Sequence, residues 1–482
     1  MPKTSMEAPF KVVIVGGSVA GLTLAHCLHR ANIEYVVLEK RVQIAPQEGA
    51  SIGLWPTGGQ ILDQLGLWKD VTGDAEAILC HNLLFPDGYA FTHFMLERVY
   101  ERLGYGLVFV SRQQLLESLY RNLPDKTRVH INQAVVEIQQ TEEGVFVVTQ
   151  DGTTYSGSLV VGADGVHSRV RSEMWRLEET QYPGLIGAKE KQTLTAEFAC
   201  VFGISDAIPG LPAREHVNVY GNGYAVLTFH GSDSIFWFVL SRMDRVYMYP
   251  DVPRFTADDA EELCTRRYAD VSIADGVCVR DLWENKKAAS MTAMEEGVFE
   301  TWSAGRIVLV GDAVRKMTVT MGQGANTTIE DSAVLATVLH KLVHERSTKT
   351  NHPTSEEIAT ALVQFQALRY PRSKTIYEQT KFSIRTQTRS GFAKRVMGRY
   401  IMPSKIDHMT DGLSELMADG PVVGFLPLPE RSTDGWEKYS SDSRKDAAKQ
   451  GATDWVQWSV VSLSVVLAVS LLARYRAVWS WW

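Results

Sequence analysis

KVVIVGGSVAGLTLAHCLHR, Lys11 to Arg30, is the stretch that decides the fold. Val12, Val13, Ile14 and Val15 form a short unbroken apolar run, the pattern of a strand buried on both faces. The loop from Gly16 to Gly21 follows at once, and Leu24, Ala25 and Leu28 then recur with the spacing of a helix that packs on a sheet. A second apolar run ends at Glu39. Strand, glycine loop, helix, strand and a terminal acid about 20 residues beyond the loop make up the βαβ unit that receives the ADP part of a dinucleotide. Gly16, Gly17 and Gly21 let the backbone come close to a pyrophosphate at a helix N-terminus. Ser18 stands where the usual middle glycine would be, and brings a small hydroxyl instead. Glu39 accepts ribose hydroxyls and repels a 2′-phosphate, so the ligand expected here is FAD or NAD, not NADP.

Composition narrows the class further. A chain of 482 residues, 45% hydrophobic and 22% charged, buries a large core in two or more lobes. Its net charge of -7 supplies no basic field, which excludes nucleic acid as an expected partner. Cys27, Cys80, Cys200, Cys264 and Cys278 are scattered and contain no CxxC pair, so free thiols in a reducing compartment are expected. The histidines show no metal-ligand spacing, and no metal is expected.

Two later segments repeat the strand-then-loop arrangement. After Leu159 to Val161 comes GADGVHSRVR, Gly162 to Arg171, in which Asp164 and Gly165 turn sharply and Ser168 is placed to cap the next helix. After Arg306 to Val310 comes GDAVRKMTVTMGQGAN, Gly311 to Asn326, with Thr327 and Glu330 spaced as a capping box for a helix that follows. Together with the first loop and Glu39, these segments resemble the flavoprotein monooxygenases of the para-hydroxybenzoate hydroxylase type over about Lys11 to Leu342. The late loop has Val314, Arg315, Lys316 and Met317 where the aromatic hydroxylases carry an alanine, a histidine and prolines. In this it looks like the fungal branch that epoxidises prenyl chains in meroterpenoid and indole-diterpene biosynthesis.

That resemblance implies an α/β fold, a Rossmann-like FAD-binding domain with a second, mixed-sheet substrate domain. It implies FAD as cofactor and NADPH and O2 as co-substrates. Asp312 would hold the ribityl chain, and Gly322, Gly324 and Ala325 would face the flavin ring. Gly53 matches a flavin-contacting backbone position. Arg112, a cation in the first turn of a helix, needs a polar or anionic tertiary partner, and the flavin phosphate or ribityl chain would serve. Asp164 and Gly165 would border the transient NADPH site. Tyr220 is the candidate site tyrosine on the substrate sheet.

The expected domains are 8–174 and 292–345 for the FAD-binding part, 175–291 for the substrate domain, 346–429 for a helical region and 430–454 for a linker. A hydrophobic helix at 455–476 closes the chain. Val456 to Ala473 carry no charge and are flanked by tryptophans; as a helix they span about 27 Å, close to the hydrocarbon thickness of a bilayer. The expectation is a C-terminal membrane anchor, with the body cytosolic at the endoplasmic reticulum. Three functions stay open: epoxidation of a polyprenylated aromatic, hydroxylation of a phenolic or polyketide ring, and a non-catalytic carrier of prenyl lipids on a flavoprotein fold.

Overall fold

The computed structural model describes residues 9–46, 51–181, 186–345 and 352–443. The strand Lys11–Val15 pairs in parallel with Glu34–Leu38 on one side and Leu159–Gly162 on the other. Leu159–Gly162 in turn pairs in parallel with Ile307–Leu309. With Val129–His130 and Ser303–Ala304 at the margins, these strands form a six-stranded sheet. The order is the reason three distant sequence motifs meet: each loop leaves the carboxyl end of a neighbouring strand. Val12, Val13 and Ile14 are fully buried, as an unbroken apolar strand between helical layers requires. The helices Val19–Arg30 and Gly324–His344 pack on one another over this sheet.

An eight-stranded sheet builds the second layer system. Its order runs Arg315–Lys316, Lys286–Val298, Thr195–Asp206, Ser234–Met248, Tyr224–His230, Glu215–Tyr220, Cys80–Leu84, Ala90–His93. Most pairs are antiparallel, but Glu215–Tyr220 and Cys80–Leu84 run parallel. The sheet therefore takes strands from well before residue 175, and the expected boundary at 291 falls inside the strand Lys286–Val298. Strand alternation shows on Glu215–Tyr220: Val217 and Val219 enter an apolar cluster with Trp237 and Leu282, while His216, Asn218 and Tyr220 point the other way.

The helix Ser355–Gln387 runs past both sheets, opened by a capping box of Thr354 and Glu357. The expected capping box of Thr327 and Glu330 does not form. Gly324–His344 starts three residues earlier, so Thr327 lies inside it and donates to the carbonyl of Gln323 at 2.9 Å. Glu330 instead joins a buried ion cluster, accepting from Arg369 at 2.8 Å and Arg372 at 2.9 Å. Beside it Asp331 accepts from Gly311 N–H at 2.9 Å, Arg315 at 2.7 Å and Arg369 at 2.8 Å. Among the described residues no helix is long and apolar enough to cross a membrane, and the segment 455–476 lies outside them.

Candidate functional site

The loops at the carboxyl edge of the parallel sheet wall a cavity of about 660 Å³. Gly16, Ser18, Glu39, Gly53, Arg112, Asp164, Gly165, Asp312, Gly322, Gly324 and Ala325 all line it. Gly17 and Gly21, the other two residues expected there, stand just behind. Gly17 N–H donates to Glu39 Oε2 at 2.7 Å, which fixes the acid at the end of its strand, and Arg41 N–H holds the other oxygen at 2.9 Å. A Cβ on Gly21 would lie 1.9 Å from the carbonyl oxygen of Gly16, so the helix and the loop touch backbone to backbone. Gly16 has φ +109°, a conformation that favours glycine.

Arg112 donates to the Ser18 hydroxyl at 3.0 Å. Its cation thus sits at the first glycine loop, next to the N-terminus of Val19–Arg30, where positive potential gathers. Ser111 caps the Arg112–Arg121 helix by accepting from Gln114 N–H at 3.0 Å, but the Gln114 side chain turns away to the carbonyl of Val71. At the middle loop, Asp164 accepts from Ser168 Oγ and from the amides of Arg169 and Val170. Burial pushes its carboxyl up against the opposing pull of those hydrogen bonds. Ser168 also caps its helix, accepting from Arg171 N–H at 2.9 Å. The Arg171 side chain reaches the carbonyl of Ala313 at 2.8 Å and ties the middle loop to the late one.

The late loop is held from behind by residues the motif reading passed over. Asn326 accepts from Trp55 N–H at 2.9 Å and donates to the carbonyls of Gly53 and Gly322, each at 2.8 Å. One side chain therefore locks the Gly53 strand to the Gly322 turn. Asp331 grips the amide of Gly311, immediately before Asp312. Asp312 itself pairs with Lys316 at the cavity wall. Asn326 was legible as the last residue of the GQGAN run; Asp331 carried no local signal, because its partner Arg369 lies on another helix.

A second cavity of about 870 Å³ adjoins the first and shares Phe109, Phe229 and Gly322 with it. Trp55, Leu96, Leu107, Met321 and Leu413 give it a largely apolar wall. Tyr220 lies here and not at the first cavity, with its ring 4.9 Å from that of Phe85 and its hydroxyl pushed upward in pKa by burial. Phe109 and Phe229 stack at 3.8 Å between the two spaces. His26, on the first helix, is an ordinary buried histidine whose Nε2 pairs with the carbonyl of Leu119.

The donor set fits an FAD: close backbone approach and a cation at one end, a ribose-accepting acid beside them, and a helix N-terminus at Gly324 facing the far end. Residues 9–366 match the FAD binding domain family. Over 434 residues, 90% of this chain and 92% of the relative, the sequence is 49% identical to FAD-dependent monooxygenase nvfK of Aspergillus novofumigatus. The chain belongs to the FAD-dependent monooxygenases. This monooxygenase is also 47% identical to FAD-dependent monooxygenase penE of Penicillium thymicola, over 98% of each chain. Both relatives are fungal, in line with the branch that the sequence resembles. The fold matches the crystal structure of Klebsiella pneumoniae HpxO complexed with FAD and uric acid, with a TM-score of 0.67, 20% identity, and coverage of 86% of this chain and 97% of that one. Membership of an enzyme family removes the reading as a non-catalytic carrier.

Proposed function

We propose that this monooxygenase epoxidises a prenyl-chain alkene of a polyprenylated aromatic, using NADPH and O2. The observation that carries the reading is the pairing of cavities: a large apolar chamber opens against the cofactor cavity across Phe109, Phe229 and Gly322. Bound FAD, once reduced, supplies an electrophilic oxygen atom from O2. Glu39, Arg112 and Asp312 would hold the ribose, phosphate and ribityl parts, while Gly322, Gly324 and Ala325 present backbone to the ring. Phe109, Phe229 and Trp55 exclude water and lay an apolar chain along the shared wall. A trisubstituted alkene is electron-rich without losing a proton, so the chamber's task is placement. Ring hydroxylation would instead need a base to form a phenolate. His216, which lines the chamber with His81 and His408, is held by burial at about 3 and makes a weak base.

The tail at 455–476 supports a further part of the proposal, a C-terminal anchor in the endoplasmic reticulum membrane with the body in the cytosol. Such tethering would place the chamber beside prenylated intermediates dissolved in the bilayer and leave the cofactor site open to cytosolic NADPH.

The deciding experiment incubates the holoenzyme with NADPH and polyprenylated aromatics and analyses products by mass and NMR. An epoxide on the chain is the expected product. A new hydroxyl on the aromatic ring, with the chain untouched, would overturn the reading.

A further inference from the structure

The polar lining of the chamber comes from the helix Ser355–Gln387, which brings Lys374, Glu378 and Gln387, from His408, and from one patch of sheet. His216 and Asn218 share the cavity face of Glu215–Tyr220 by strand alternation, and His81 stands directly opposite His216 on the neighbouring strand. The His81 and His216 rings are 4.1 Å apart, and His216 lies flat on Phe229 at 4.0 Å with planes inclined by 5°. Since Phe229 stacks in turn on Phe109, the patch is joined by a column of rings to the cofactor cavity wall.

His216 Nδ1 faces the carbonyl of Thr228 at 2.9 Å, and a carbonyl accepts, so the proton sits on Nδ1. With the ring kept neutral by burial, Nε2 is left as an acceptor. Asn218 is 1% exposed, and its Oδ1 has no partner among the described residues. His81 Nε2 is likewise buried and without a partner among them. Buried polar atoms are nearly always satisfied, and these face a chamber made for a ligand. Two acceptors side by side call for an O–H donor. His216 spends its one N–H on Thr228, so its free nitrogen has no proton to give a carboxylate.

We infer that His216, Asn218 and His81 form a subsite that receives a hydroxyl group of the substrate, set one ring behind the wall that the chamber shares with the cofactor cavity. This rests on the epoxidase reading for the identity of the chamber, and it deepens it: the substrate is a hydroxyl-bearing prenylated compound, its O–H donating to His216 Nε2 or Asn218 Oδ1. The prenyl chain then runs along the Phe229 and Phe109 column toward the flavin ring. The hydroxyl acts as a ruler that selects which double bond arrives there.

The test titrates the holoenzyme with a polyprenylated phenol and with its O-methyl ether, reading binding from the flavin absorbance. Wild type is expected to bind the phenol roughly 10-fold tighter than the ether, the cost of leaving buried acceptors unpaired. His216→Phe keeps the stack on Phe229, and Asn218→Leu keeps the volume; each is expected to bring the ratio down towards one while the ether binds as before. Wild type that does not discriminate, or variants that both keep the wild-type ratio, would overturn the subsite. If the phenol preference holds and turnover yields a ring hydroxyl in place of an epoxide, the subsite stands and the epoxidase reading falls.

Discussion

Glu330→Gln is expected to weaken the holoenzyme by an amount that fades with acid. Glu330 is fully buried, and burial alone would push its carboxyl up, but Arg372 and Arg369 override this and hold it at about 2, against an ordinary value of 4.5. A difference of that size corresponds to about 3 kcal/mol, since each pKa step is worth about 1.4 kcal/mol. The folded-state value is the lower one, so the stabilisation is present in full above pH 4.5 and is lost as pH falls towards 2. Glutamine keeps the shape and removes the charge. Urea unfolding followed by tryptophan fluorescence, run on wild type and variant with FAD bound, is expected to show a gap of about 3 kcal/mol at pH 7 and about half that at pH 3. A gap under about 1 kcal/mol at pH 7, or one that does not shrink on acidification, would refute the argument that the arginines hold a charged Glu330.

Two further substitutions probe the site and the tail. Asp312→Ala removes a cavity carboxylate without touching the core and is expected to lower the FAD content of purified protein sharply while circular dichroism stays unchanged; full flavin occupancy would show that the late loop has been misassigned. Deleting 455–482 is expected to move the protein into the soluble fraction with its flavin retained, and continued pelleting of folded, yellow protein would exclude the tail as sole anchor.

The three motif loops of the cofactor cavity were legible in the sequence because each is a local word, a strand followed by a glycine turn and a helix start, the longest running from Ile307 to Gly324. For Arg112 the partner expected was the flavin phosphate or ribityl chain, and the polar group that the protein itself brings to it is the Ser18 hydroxyl. What escaped was non-local. Cys80–Leu84 joins the large sheet beside Glu215–Tyr220, a parallel pairing that alternation alone does not announce. Thr327 and Glu330 satisfied the spacing of a capping box, yet the helix had begun at Gly324 and Glu330 was needed by arginines on Ser355–Gln387. Spacing identifies residues able to cap; tertiary ion pairing decides which of them do. Tyr220 was placed on the right sheet, but which cavity it faced depended on the neighbouring strands.

The two-sidedness of Glu215–Tyr220 also sets the chamber wall back to back with an apolar cluster. Val217 and Val219 pack on one side, while His216, Asn218 and Tyr220 are buried on the other, at the chamber wall. None of the three is among the residues lining the cofactor cavity. Changes at alternate positions of this one strand therefore reach the chamber wall and leave the lining of the cofactor cavity as it is.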